Sequence, residues 1–395
     1  MEEVIYVSTI SVVMPAFNAE EYITKAIKSI LKQTVPVQEI IVVDDGSVDQ
    51  TSHIVEGLKE QYPMIKLVKQ ENKGVSNARN LGMKIAAGDW ILFLDADDEC
   101  RSNLIETYRS KLATSSKDYD IAMVYTAFQQ VDEQSTEISK PLRGKRLAGE
   151  EGFCDILMRN PIVSPSGVLV KKIALMETGS FNISLKYDED VDLWIRLLEH
   201  FTIEYIDEPL SLIRRHLNNT TSSMSVSHNA EKLILDKYGI DYIKEKLFKR
   251  NFSFEKNSLD YALFLLRYEK LEECQRLLTS LNIKKESASY ITFCFLRSVC
   301  FIHKQNFELA IEQYKIIFSL NKEHGASLNN AGILSMVNGD AFHAIQYFNQ
   351  SLFCFPGYLD AKHNLQLAEL GEVKVDPYRF TLRELRPVLL TYSKD

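Results

Sequence analysis

The first hundred residues alternate short apolar runs with segments whose apolar residues recur at helical spacing. Ile10-Ser11-Val12-Val13-Met14-Pro15 reads as a buried strand, and Glu20 to Gln33 carries Ile23, Ala26, Ile27, Ile30 and Leu31 on one helical face. A second strand, Glu39-Ile40-Ile41-Val42-Val43, runs into Asp44-Asp45-Gly46-Ser47. A helix is expected over Asp49 to Gln61, a third strand over Ile65 to Val68, and a helix over Asn77 to Ala87 closed by Gly88. The fourth strand, Trp90 to Leu94, ends in Asp95-Ala96-Asp97-Asp98. Such alternation predicts a mostly parallel sheet covered by helices on both faces. Ligands of such sheets lie outside the carboxyl ends of the strands, where both acidic clusters fall.

From 120 to 216 the pattern is less regular. A strand is expected over Ile121 to Tyr125, a mobile polar loop over Asp132 to Gly149, and an amphipathic helix over Glu189 to His200. Residues 217–228 are polar and read as a flexible segment whose ordering on ligand binding would exclude water. Beyond 229 the pattern is helical and repeats: Ala310 and Ala344 are 34 apart, as are Tyr314 and Phe348. Gly332 precedes Ala344 by 12 residues and Pro356 follows it by 12. That period and residue pattern match the tetratricopeptide helix-turn-helix repeat. A weaker copy has Cys274 in the alanine place, and 357–370 would form a capping helix.

Length and composition narrow the function classes. A chain of 395 residues suggests two or three domains. With 45% hydrophobic and 25% charged residues it resembles ordinary soluble globular proteins. A net charge of -8 argues against a mainly electrostatic nucleic-acid binder, but not against a ligand that arrives with its own metal ion. No apolar run approaches the about 18 residues of a membrane span. The opening Met1-Glu2-Glu3-Val4-Ile5 lacks the basic-then-apolar pattern of a secretory signal. The six cysteines form no CxxC pair and read as small core residues in a reducing compartment. The expectation is a cytoplasmic protein.

Four clusters carry candidate chemistry. In Asp95-Ala96-Asp97, alternate residues of an extended segment point the same way, so both carboxylates could face one ligand. Hard oxygen donors there suit Mg²⁺ or Mn²⁺ bridged to phosphates; the plainer reading is an acidic turn. Asp44 and Asp45 could accept a hydrogen bond from a base or ribose, or could belong to a strand-to-helix turn capped by Ser47 or Asp49. Arg79, on the helix opened by Asn72-Lys73-Gly74, could meet a diphosphate or form a surface salt bridge. Asp188, Glu189, Asp190 and Asp192 put four acids in five residues, and their repulsion can raise a carboxyl toward general-base use. Acids are also favoured at a helix N-terminus for the dipole alone.

Taken in order, Met14-Pro15-Ala16-Phe17-Asn18, Val42-Val43-Asp44-Asp45-Gly46-Ser47, Asn77-Ala78-Arg79-Asn80, Asp95-Ala96-Asp97 and Glu189-Asp190-Val191-Asp192-Leu193-Trp194 resemble a family 2 glycosyltransferase of the GT-A fold over about residues 8–217. The resemblance implies inverting transfer from a nucleotide-diphosphate sugar. By position, Pro15, Phe17 and Asn18 would lie at the nucleotide edge. Asp45, with Asp44, would meet uracil, Asp95 the ribose, and Ala96 would line the same site. Asp97 would hold a divalent metal, Mn²⁺ or Mg²⁺, and Arg79 would approach the diphosphate. Asp190 would be the general base, with Asp192 and Trp194 orienting and packing its helix. His216 matches the family's late histidine, on a segment that closes over the diphosphate; as a bare residue it is equally a plain loop histidine.

The implied fold is an α/β, Rossmann-like GT-A domain over 1–225, a helical linker over 226–257, an all-α tetratricopeptide-like domain over 258–375 and a tail over 376–395. Repeat arrays form concave surfaces that bind peptides or proteins. This layout is similar to bacterial enzymes that glycosylate flagellin or secreted peptides. The leading expectation is therefore transfer from a UDP-sugar, with UDP-GlcNAc as the named candidate, to Ser or Thr hydroxyls of a protein such as flagellin. The alternatives are a lipid-linked or cell-surface glycan acceptor with the repeats making a homodimer, and a catalytically silent scaffold. A nucleotidyltransferase would carry a Gly- and Arg-rich loop where Ala16-Phe17-Asn18-Ala19-Glu20 stands.

Overall fold

The computed structural model describes residues 8–114, 120–216, 235–356, 358–372 and 374–385. The chain forms two compact units, Met1–Gly239 and Ile240–Asp395. The polar 217–228 segment lies outside the described residues.

In the first unit one sheet contains β1 (Ile10–Ala16), β2 (Glu39–Asp44), β3 (Ile65–Lys69), β4 (Trp90–Phe93), β5 (Glu99–Cys100), β6 (Ile121–Val131), β7 (Val168–Lys171) and β8 (Thr202–Arg214). Their order across the sheet is β3-β2-β1-β4-β7-β6-β8-β5. β3, β2, β1 and β4 are mutually parallel. β7 runs antiparallel to both β4 and β6, and β8 is parallel to β6. β1, β2 and β4 are buried along their whole length, which is why each reads as an unbroken apolar run rather than an alternating one.

The helices of this unit are α1 (Ile23–Leu31), α2 (Thr51–Gln61), α3 (Val75–Ile85), α4 (Leu104–Thr114), α5 (Gly149–Arg159), α6 (Lys172–Thr178) and α7 (Glu189–Leu198). The α1 face predicted from spacing is the buried one: Ile23, Ala26, Ile27 and Ile30 join the core of Val12, Met14, Ile40 and Val42. α3 ends at Ile85, before Gly88, and Ala86 is already extended. Gly88 is therefore not the helix cap. Its N–H donates to Ser11 Oγ at 2.8 Å, and a Cβ there would come within 2.6 Å of the Ser11 nitrogen, so glycine is required by close approach to β1.

From β1 the chain winds through β2 and β3 on one side, then returns to place β4 on the other side of β1. That reversal is a topological switch point, and the crevice outside the carboxyl ends of β1 and β4 is where such a sheet binds ligands. The strand expected over 121–125 continues to Val131, because Gln129 and Gln130 are buried yet hydrogen-bonded rather than ending the strand. The segment expected to be a mobile loop is tied to the sheet by bridges Val131 to Glu137, Phe128 to Leu142 and Leu147 to Ile203, with Leu142 and Leu147 buried.

The second unit is helical, with no strand among its described residues. It comprises α8 (Ile240–Lys249), α9 (Phe254–Arg267), α10 (Leu271–Ser280), α11 (Tyr290–His303), α12 (Phe307–Leu320), α13 (Gly325–Val337), α14 (Ala341–Cys354) and α15 (Leu359–Glu369). α12 and α14 begin and end 34 residues apart, and α13 and α15 begin at the same offset. Cys274, Ala310 and Ala344 are all completely buried, as is Phe348. A Cβ on Gly332 would sit 2.6 Å from the Phe348 ring, so the small residue and the aromatic fill one space. No helix among the described residues is long and apolar enough to cross a membrane.

Candidate active site

The loops after β1 and β2 are laced together. Asn18, with φ at 48°, receives the Val48 N–H on its Oδ1 at 2.9 Å, and its own N–H donates to Ser47 Oγ at 2.9 Å. The left-handed backbone at a non-glycine residue is held by this pair of bonds. Asp44 accepts from the Ser47 N–H and from the Ser52 hydroxyl. Asp45 is buried and accepts from Gln70 Nε2 at 2.6 Å, Lys73 N at 2.8 Å and Gly74 N at 2.8 Å. Both acids thus fix the rim of the crevice. Pro15 lies within β1 beside Val43, while Phe17 is half exposed at the strand end.

Beyond β4, the acidic turn is bound to the end of β8. His216 Nε2 lies 2.9 Å from Asp97 Oδ2. Arg214, completely buried, donates from Nε to the Asp97 carbonyl at 2.8 Å and pairs through its guanidinium with Glu99. Its backbone N–H donates to Asp98 Oδ1 at 2.7 Å. Burial, then the charges of Asp97 and Asp95, push the Asp98 carboxyl well above the usual range. Tyr22 lies against both residues, its ring stacked on His216 at 5.1 Å and facing the Arg214 guanidinium at 5.1 Å. Ala96 is buried between the two acids of the motif.

Arg79 joins this turn to the acidic helix. Its guanidinium is buried between Asp95 Oδ1 and Glu189 Oε1, each at 2.7 Å, and lies over the Phe181 ring at 5.3 Å. Burial opposes its charge, but Asp95 and Glu189 outweigh burial and hold it protonated. Phe181 in turn meets Trp194 edge-on at 6.3 Å. Asp192 accepts from Arg196 Nε and Lys237 Nζ, both at 2.9 Å, and Arg196 reaches the carbonyls of Thr178, Gly179 and Ser180. α7 is therefore fixed along its length.

Asp190 stands in the first turn of α7, just after Asp188, which has φ at 55°. Asp190 keeps partial exposure. Burial first, then the charges of Glu189 and Asp188, raise its carboxyl to about 7, against a smaller opposing pull from Arg79. At that value the group exchanges a proton near neutral pH, as a general base must.

The structure brings Asp95, Arg79 and Glu189 into one network, pairs Asp97 with His216, and joins Asn18 to the Ser47 loop. It gives Arg79 two carboxylate partners inside the protein rather than a surface salt bridge. Glu189, Asp98, Arg214 and Tyr22 were not singled out as site residues from sequence. Glu189 and Asp98 stood within the acidic runs of the sequence and Arg214 two residues before His216, whereas nothing marked Tyr22. Among the described residues no group of three His, Cys, Asp or Glu side chains is arranged around a metal position. Asp97 and His216 nonetheless suit a divalent ion: one carboxylate and one imidazole, adjacent and partly accessible, leave positions for phosphate oxygens and water.

The family model for glycosyl transferase family 2 matches residues 11–177. Among curated proteins, an uncharacterised glycosyltransferase of Haemophilus influenzae is 26% identical over 290 residues, covering 71% of this chain and 88% of that protein. Glycosyltransferase GlyG of Streptococcus pneumoniae is 30% identical over 217 residues, covering 52% of this chain and 70% of the relative. A cholesterol galactosyltransferase of Borreliella burgdorferi is 24% identical over 267 residues, covering 64% and 74%. The crystal structure of S. aureus TarS 1-349 in complex with UDP-GlcNAc superimposes with a TM-score of 0.50 at 16% identity, covering 92% of each chain. At that identity the likeness speaks for the fold.

Proposed function

The chain belongs to glycosyl transferase family 2 and is a glycosyltransferase, and from that premise we propose that it moves a sugar from a UDP-sugar to a hydroxyl of a protein acceptor, with inversion and with Asp190 as the base. The observation that carries the reading is the placement of Asp190. Its carboxyl titrates near 7 on a helix that Glu189, Arg79 and Asp95 tie to the acidic turn at the strand ends.

In this reading Asp190 takes the acceptor's hydroxyl proton as the oxygen attacks the anomeric carbon from the face opposite the leaving UDP. One displacement needs one base and gives inversion. Asp97 and His216 would hold a divalent ion, whose chemistry is to neutralise charge on the departing diphosphate. Asp44, Asp45 and Asn18 shape the rim against which the nucleotide lies, with half-exposed Phe17 beside it. Arg79 holds Asp95 and Glu189 in place, so its effect on the donor is through Asp95. The repeated helices of the second unit, read as tetratricopeptide-like, support a polypeptide acceptor, with flagellin as one candidate. One curated relative is a galactosyltransferase named for cholesterol, so a lipid acceptor is the second reading.

The test is intact-mass spectrometry of the full chain with Mn²⁺, a panel of UDP-sugars led by UDP-GlcNAc, and candidate acceptors. A discrete sugar-sized increase on a protein supports the proposal. UDP release with only a lipid or glycan modified supports the second reading and overturns the first.

A further inference from the structure

The last described residues of the chain run through the helical unit as an extended segment, held by side-chain amides. Asn330 on α13 accepts the Thr381 N–H on Oδ1 at 2.8 Å and donates from Nδ2 to the Thr381 carbonyl at 2.8 Å. Asn364 on α15 does the same for Arg379, accepting its N–H at 2.8 Å and donating to its carbonyl at 3.0 Å. Asn329 adds a bond to the Arg379 carbonyl at 3.0 Å, and itself accepts from Asn364 at 2.8 Å. All three asparagines are fully buried. Asn330 and Asn364 are 34 residues apart, the helix-repeat offset, while the residues they grip are two apart. The match joins one repeat to one two-residue step of extended chain.

These amides read the peptide backbone, which every sequence presents. Among the described residues, one gripped side chain is also read by hydrogen bonding: the Thr381 hydroxyl meets Asp360 Oδ2 at 3.2 Å, Asn329 Nδ2 at 3.2 Å and the Tyr358 hydroxyl. Tyr378 and Phe380 pack on the apolar cluster of Ile333, Phe348 and Ala368. A site that pairs both backbone groups of alternate residues and offers an acceptor to a hydroxyl is suited to an extended peptide with Ser or Thr at one place. A tethered segment occupies such a site at high effective concentration and so blocks weaker rivals.

The geometry points to a peptide-binding cleft on the helical unit, taking an extended hydroxyl-bearing polypeptide segment, and occupied in this chain by its own residues 378–382 as a displaceable inhibitor. The cleft stands without the activity above; it rests on that reading only in taking the incoming segment to be the acceptor's.

Arg379→Pro with Thr381→Pro in the full chain removes both gripped N–H groups and leaves the cleft residues intact. The probe is a fluorescein-labelled peptide of sequence 374–385, followed by anisotropy without any donor. The double-proline chain is expected to bind it about tenfold or more tightly than the unaltered chain, and adding Asn330→Ala and Asn364→Ala to weaken it by about tenfold or more. A probe with Thr381→Val should bind more weakly. Equal binding by the unaltered and double-proline chains, or indifference to the two asparagines, overturns the cleft. Hydrogen exchange on the unaltered chain decides the matter if the proline variant does not fold. The Arg379 and Thr381 amides should exchange through local opening, about tenfold or more faster than core amides of α13. Exchange only with global unfolding would make the segment a permanent part of the fold and overturn its displacement. Peptide binding alongside sugar transfer only to lipid would overturn the acceptor reading and leave the cleft standing.

Discussion

Burial opposes the charges of both Asp190 and Arg79, and their neighbours decide the outcome. Asp190 lacks a cationic partner strong enough to offset burial and two adjacent acids, so its carboxyl rises to about 7. As the base it must be ionised, so kcat/KM should fall about tenfold per pH unit below 7 and level off above it. A pH–rate profile flat from pH 5 to 8 would remove Asp190 from that role. The same shift has a stability sign. An unfolded carboxyl near the ordinary value and a folded one near 7 mean the folded chain holds an extra proton between them, so stability falls as pH rises through that window. Asp190→Asn should therefore be more stable than the unaltered chain at pH 8, on the order of a few kcal/mol, and equal to it near pH 4. Urea melts at both pH values would measure this. Arg79 is the converse: two acids meet one buried guanidinium, and Arg79→Met leaves both without it. The expected loss is about 3–5 kcal/mol by denaturant unfolding. Arg79→Lys should recover only part, because a single ammonium cannot reproduce the fork.

At the scale of elements, the site depends on pieces that sequence alone separates widely. Arg214 ends β8, yet it bonds the Asp97 carbonyl, Asp98 and Glu99 of the turn after β4. Arg214→Leu should destabilise the fold by about 3–5 kcal/mol, since Glu99 loses a buried partner, and should also weaken metal-dependent UDP binding. Calorimetric UDP binding with and without Mn²⁺ would separate the two effects. Gly88→Val should cost about 1–3 kcal/mol by overpacking against Ser11, read as a lowered Tm.

Across the whole molecule, sequence was most informative where one local pattern served one purpose. The strands β1, β2 and β4 are buried, mainly apolar runs, and the 34-residue offset repeats the same small and aromatic residues, so both could be read directly. β8 could not: its exposed Asp207 and Glu208 interrupt the apolar pattern, and its length is set by pairing with distant β6. The acids of the candidate site were visible as clusters, but their partners were not, because Arg79 to Glu189 and Arg214 to Asp98 are contacts across 110 and 116 residues. Nor could periodicity reveal that buried Asn330 and Asn364 grip a segment of the same chain.

The most direct test of the account compares UDP-sugar binding and turnover in Asp190→Asn. Binding measures the rim and the acidic turn, which this change leaves alone, whereas turnover requires the base. The account predicts a donor Kd within about twofold of the unaltered chain and turnover reduced by about 10² to 10⁴. Near-normal turnover with the amide in place would contradict Asp190 as the base and, with it, the proposed mechanism.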